Sequence, residues 1–223
     1  MNSFSRLAGL VVSVVQVLSC TLVPMYVSAE QNGPVSATSA AGTALIERLR
    51  QGGAVMFIRH ADTAGQPCDA YGSDRARQRN LSAAGRAQAV ALGQRIEALG
   101  IPVAWPVLAS PVYRARDTAE LAFGVGRVTV TDSLVADDYA GSRLQWVLSE
   151  HRRLFGEPVP ADANRVLVGH RGPVQMILGA RVAGTRLPEA GVLVFEPRGA
   201  EGVEVLGVVE IVPAIDGGNP ACR

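Results

Sequence analysis

Residues 54–58, Ala-Val-Met-Phe-Ile, are apolar at every position and stop abruptly at Arg59-His60. A run of that length without alternation predicts a strand buried on both faces. The pattern recurs at 107–109, which runs into Ser110-Pro111, and at 165–168, which runs into Gly169-His170. Helical patterns lie between, at 44–51, 84–99, 112–123, 143–154 and 174–182; in the second, Ala89, Leu92, Ile96 and Leu99 share one face. The β-rich segments 191–196 and 203–212 are close enough to pair antiparallel at one edge. This alternation predicts an α/β fold: three layers, α/β/α, around a mostly parallel sheet.

Composition narrows the chemistry. At 48% hydrophobic, the 223-residue chain can bury the core of one ordinary domain. Its 21 basic and 20 acidic residues leave a net charge of +1. That balance offers no electrostatic footprint for nucleic acid and no polybasic patch for a membrane. All 21 basic residues are arginine. Without lysine there is no P-loop, no Schiff-base chemistry and no lysine-bound pyridoxal cofactor.

Residues 1–29 read as an export signal: Arg6, an apolar run over 7–27, then the small residues of Val27-Ser28-Ala29 before Glu30. An uncleaved membrane anchor and, from Val17-Leu18-Ser19-Cys20, a lipidated cysteine are the other two fates. All three place the domain outside the cytoplasm, periplasmic or secreted, or anchored facing outward. Residues 30–42 read as a Gly/Ser/Ala linker and 43–223 as the domain. Cleavage leaves Cys68 and Cys222, either bridged or unpaired. No cysteine–histidine spacing of a metal site is present, so no metal is expected.

In open α/β sheets, ligands bind beyond the carboxyl ends of the strands. Three strand ends deliver Arg59, His60, Ser110 and His170 to one rim, with Arg114 one turn into the next helix. Ser110 suits an N-cap with Pro111 at the first helical position, and Gly172-Pro173 repeat that arrangement. Helix N-termini and arginine forks both favour an anion, and Arg114 leans back towards such an end. Two imidazoles in an anion pocket suit phosphoryl transfer: one attacks phosphorus, the other donates to developing charge. Singly, each histidine could be structural and each arginine a solvated charge; the constellation makes the case. His151, within Glu150-His151-Arg152-Arg153, reads as a solvated helix-face residue. The segment 69–80, with Arg75, Arg77 and Arg79, reads as a loop near the pocket, selecting an anionic substrate or merely solvated.

Four segments in order resemble the histidine phosphatase superfamily, the phosphoglycerate-mutase-like fold: Arg59-His60-Ala61; Leu81-Ser82-Ala83-Ala84-Gly85 with Gln88-Ala89 and Leu92-Gly93; Ser110-Pro111 through Arg114 to Ala119; and Val168-Gly169-His170. The resemblance covers about residues 50–212. It implies that His60 is phosphorylated and then hydrolysed, that Arg59, Arg114 and His170 hold the phosphoryl oxygens, and that no cofactor takes part. It also implies an acid that protonates the leaving oxygen. Arg171 fills one place where that acid is expected; Asp137 and Asp138 lie in the other region without a matching motif and read equally as a solvated loop. Asp62, beside the nucleophile, is a remoter candidate.

The leading expectation is therefore an exported phosphatase acting on a small phosphorylated molecule or an envelope glycan phosphate. A non-catalytic phosphate-binding module and a phosphohistidine (phosphoramidate) phosphatase are the alternatives. A cytoplasmic sugar-phosphate mutase fits neither the export signal nor the acid pattern. A serine hydrolase lacks its Gly-x-Ser-x-Gly elbow, and Gly124-Val125-Gly126 is too short for a dinucleotide site.

Overall fold

A computed structural model of the chain describes residues 33–64, 74–183, 187–199 and 202–215. The export segment 1–29, Cys68 and Cys222 lie outside the described residues. Among the described residues, seven strands form one sheet: β1 (Val35–Ser36), β2 (Val55–Arg59), β3 (Val103–Ala109), β4 (Val128–Val130), β5 (Asn164–Gly169), β6 (Val192–Pro197) and β7 (Val203–Glu210). Their order is β1-β7-β6-β2-β5-β3-β4. Only β6 runs against its neighbours, β2 and β7; every other pairing is parallel. The expected antiparallel pair is thus β6–β7, with the short β1 outside it.

Side chains alternate across each strand, so successive residues feed opposite cores. Met56 and Ile58 of β2, with Val166 and Val168 of β5, face α1 (Ala40–Arg50), α2 (Ala83–Ala98) and α3 (Tyr113–Phe123) through Leu49, Leu92 and Ala119. Val55 and Phe57, with Leu167 and Leu193, face α5 (Leu144–Gly156), α6 (Arg171–Leu178) and α7 (Ala180–Ala183) through Leu154, Phe155, Val174 and Ala183. The short α4 (Asp137–Ala140) precedes α5. Each large apolar side chain taken fully out of water contributes about 1.5–3 kcal/mol. Both faces of the sheet being covered explains why β2 has no polar alternation.

Four expectations change. The stretch read as linker carries β1, where Val35 pairs with Val209, and the start of α1, whose Ser39 hydroxyl accepts from Gly42 N at 3.1 Å. Its small polar residues are cap chemistry, not spacer. Strand β3 starts four residues early, at Val103; Pro106 disguised it and sits where the register with β5 shifts. The helix expected over 174–182 is two helices, divided at Gly179, whose φ of +83° ends α6. His151 is fully buried, not solvated. It falls on the inward face of α5 with Val147 and Leu154, one turn either side, and its ring lies 5.8 Å from that of Phe155. The charged neighbours in sequence hid a helical period that points it inward.

Candidate active site

Register brings the two histidines together. Arg59 of β2 pairs with Gly169 of β5, so the next residues, His60 and His170, leave adjacent strands side by side. Their ring centroids are 5.5 Å apart and both are buried. Ala109 of β3 pairs with Val168, which puts Ser110 against the same rim, and its Oγ lies 2.9 Å from His170 Nε2.

Hydrogen bonds set the ring protons. His60 Nδ1 lies 2.9 Å from the Ala61 carbonyl, which can only accept, so Nδ1 carries hydrogen and the Nε2 lone pair is left to attack. Ser110 Oγ accepts from Val112 N at 3.2 Å. We assign its hydroxyl proton to His170 Nε2, which leaves Nδ1 of His170 as the donor. Both histidines are held well below the usual imidazole range, chiefly by burial and then by the charge of Arg114. Neutral rings are what a nucleophile and its neighbour need here.

Cations crowd this rim. Arg114, one turn into α3, is buried. Arg59 is pushed down to about 10 by burial, opposed by Glu189, and further by the charges of Arg171, Arg79 and Arg114; it stays a cation at neutral pH. Its Nη1 donates to the Leu187 carbonyl and its Nη2 to Glu189, each at 3.0 Å. Two buried groups, Arg59 Nε and His170 Nδ1, have no hydrogen-bond partner among the described residues. Buried donors without partners cost about 1–3 kcal/mol each, a cost that a bound oxyanion removes. The three arginines of the 74–80 segment differ: Arg75 grips buried Asp117 through two bonds at 2.5 and 2.8 Å, Arg77 is exposed, and Arg79 acts on Arg59 and His170.

The helix starts differ from those expected. The N-cap of α3 is Val112, with Gln78 Oε1 accepting from Tyr113 N at 3.0 Å, because Ser110 is engaged with His170 and Val112 N. Helix α6 starts two residues early, at Arg171, with His170 as its N-cap, so Pro173 falls third rather than first. The acid candidates separate as well. Asp137 lies against the first turn of α6: a Cβ on Gly172 would come 2.0 Å from its Oδ1, so a larger residue there would have to displace that carboxylate. Asp138 instead lines a cleft of about 650 Å³ together with Val112, Tyr113, Val135, Tyr139 and Arg143. That cleft adjoins the histidine pocket, because the Tyr139 ring lies 5.7 Å from the Arg114 guanidinium.

Glu189 is the residue sequence reasoning missed. It sits in the loop before β6, half-buried beside Arg59, with His60 Nδ1 4.0 Å away. No motif marks it. The topology does: β6 is antiparallel, so its beginning, not its end, lies at the rim where the parallel strands finish. Ala190 N accordingly donates to the His60 carbonyl at 3.0 Å.

The model of the histidine phosphatase superfamily (branch 1) matches residues 55–136. No curated protein matches the chain in sequence. Among solved structures, the mycobacterial glucosyl-3-phosphoglycerate phosphatase is 21% identical, with 69% of this chain and 96% of that one covered and a TM-score of 0.46. The protein histidine phosphatase SixA complexed with tungstate is 16% identical, with 68% and 93% covered and a TM-score of 0.43. A phosphoserine phosphatase mutant from Entamoeba histolytica, in complex with phosphoserine, is 16% identical, with 70% and 95% covered and a TM-score of 0.45. The matched segment runs from β2 through the Arg59-His60 motif, α2, β3, α3 and β4 to the approach of α4. The stretch that carries His60 and Arg114 therefore matches the histidine phosphatase superfamily.

Proposed function

We propose that the chain is an exported phosphatase that hydrolyses a small phosphomonoester through a phosphohistidine on His60. The observation that carries this reading is the pair of buried histidines 5.5 Å apart, both held below the usual imidazole range, with half-buried Arg59 and buried Arg114 at the same rim. His60 Nε2 attacks phosphorus in line, while Arg59, Arg114 and His170 hold the non-bridging oxygens as charge builds on them. The ester oxygen leaves on the face opposite His60, and water then cleaves the P–N bond. The organic half of the substrate occupies the adjoining cleft, whose size suits a small molecule. Asp138, on that cleft's wall, supplies the proton to a poor leaving group. Residues 1–29 direct export, and envelope glycan phosphates are the first substrates to screen.

A phosphoramidate substrate is the second reading. It is favoured by Asp137 being packed on Gly172 and by Arg171 following His170. A leaving imidazole needs no separate acid when it is already protonated. The test is hydrolysis of p-nitrophenyl phosphate, an alkyl phosphate and phosphohistidine by the wild type and His60→Ala. Ester turnover lost with His60 supports the main reading, and turnover of phosphohistidine alone supports the second. Undiminished turnover in His60→Ala contradicts both.

A further inference from the structure

In a pocket arranged for an anion, a half-buried carboxylate beside the nucleophile works against phosphate binding unless another step uses it. Glu189 is such a group: its side chain is only 15% exposed. Its Oε1 accepts from Arg59 Nη2 at 3.0 Å and from Thr63 Oγ1 at 3.4 Å, and stands 4.0 Å from His60 Nδ1. The Asp62 carboxyl hydrogen-bonds it, and Asp62 in turn accepts from Ser82 Oγ at 2.5 Å. Glu189 therefore faces the Nδ1 edge of His60, whereas the attacking lone pair is on Nε2. Protonating a leaving group beyond the phosphorus is out of its reach.

What it can reach is the charge created when His60 is phosphorylated. Forming the Nε2–P bond while the P–O bond breaks, with its electron pair going to the ester oxygen, leaves a ring that still carries Nδ1–H and is positive. Hydrolysis returns the P–N electron pair to Nε2 as water adds to phosphorus and gives up its proton to phosphate or solvent. The departing ring is then neutral imidazole. Should Nδ1–H be lost between the two steps, the ring would have to leave as an imidazolate, and hydrolysis stalls.

Building on the functional reading above, we propose that Glu189 is a positioning residue that keeps the Nδ1 proton on phospho-His60 and so sets the rate of dephosphorylation. The groups that face its carboxylate are Arg59, Asp62, Arg79 and the His60 ring. Burial raises its pKa above the usual carboxyl range, opposed by Arg59. An opposite charge at this range shifts a titration by about 1–3 units.

The test is a time course of alkali-quenched phosphoenzyme on the full chain with p-nitrophenyl phosphate, comparing wild type, Glu189→Gln and Glu189→Asp. Glu189→Gln is expected to slow phosphoenzyme decay about tenfold or more near neutral pH, producing a burst. The pH above which decay falls should move down by about 1–3 units, and Glu189→Asp should recover part of both. Decay and pH profile unchanged in Glu189→Gln would overturn the proposal. So would a raised KM with no burst, since Glu189 would then only steady Arg59. A wild type that turns over without phospho-His60 removes the functional reading itself, and is distinguished by the missing adduct.

Discussion

The pocket histidines and His151 are equally inaccessible, yet their surroundings differ in kind. His60 and His170 lie among arginines at strand ends, and Nδ1 of His170 has no partner among the described residues. His151 lies between Phe57 and Phe155; its Nδ1 donates to the Val147 carbonyl at 2.9 Å, so its Nε2, also without a partner among the described residues, holds a lone pair and cannot donate to an oxyanion. Burial lowers all three, but around His60 and His170 the next largest cause is the charge of Arg114. Around His151 every lesser influence raises the value, and it still settles at about 4. Burial alone therefore says nothing about chemistry. Convergent cations and donors awaiting an oxyanion are what separate a site from a core.

Mutations sharpen that contrast. The largest effect is expected from His60→Ala, which should lower kcat on p-nitrophenyl phosphate by more than about 10⁴-fold while phosphate binding and the melting temperature hold. His170→Ala or Arg114→Ala should each cost about 10²–10³-fold in kcat by removing a donor to the developing charge. Asp138→Asn should cost about 10²-fold on an alkyl phosphate and little on p-nitrophenyl phosphate, whose leaving group needs no proton. Equal losses on both esters would remove Asp138 from proton transfer.

The smallest effect on activity, and a clear one on stability, belongs to His151→Leu. The folded value of His151 is lowered from 6.5 to about 4, so the unfolded chain takes up its proton first as pH falls. Stability from this group is thus full above about pH 6.5 and declines towards pH 4, by about 3 kcal/mol in all. Denaturant melts at pH 7 and pH 4.5 should show a smaller acid loss in His151→Leu, with kcat within about threefold of wild type. A large fall in kcat would mean that the core histidine reaches the site after all.

Much of this was legible in the sequence because it depends on local chemistry. Apolar runs stopping at Arg59-His60 and Gly169-His170 marked both the sheet and the rim where the two histidines meet, and α2 and α3 followed from helical spacing. Long-range geometry was not legible. The chain direction of β6 put Glu189 beside His60, and no local pattern encodes a strand's direction. Gly172 reads as a helix cap until Asp137 is seen packed on it. His151 was misread because three charged neighbours outweighed its spacing from Val147 and Leu154.

The central claim is that His60 becomes phosphorylated. Alkali-quenched turnover of p-nitrophenyl phosphate followed by peptide mass spectrometry at alkaline pH tests it most directly. The expected result is a phosphoryl adduct on His60 in the wild type, enriched in Glu189→Gln and absent from His60→Ala. Sustained turnover with no adduct on His60, or an adduct on another residue that survives in His60→Ala, would contradict the account.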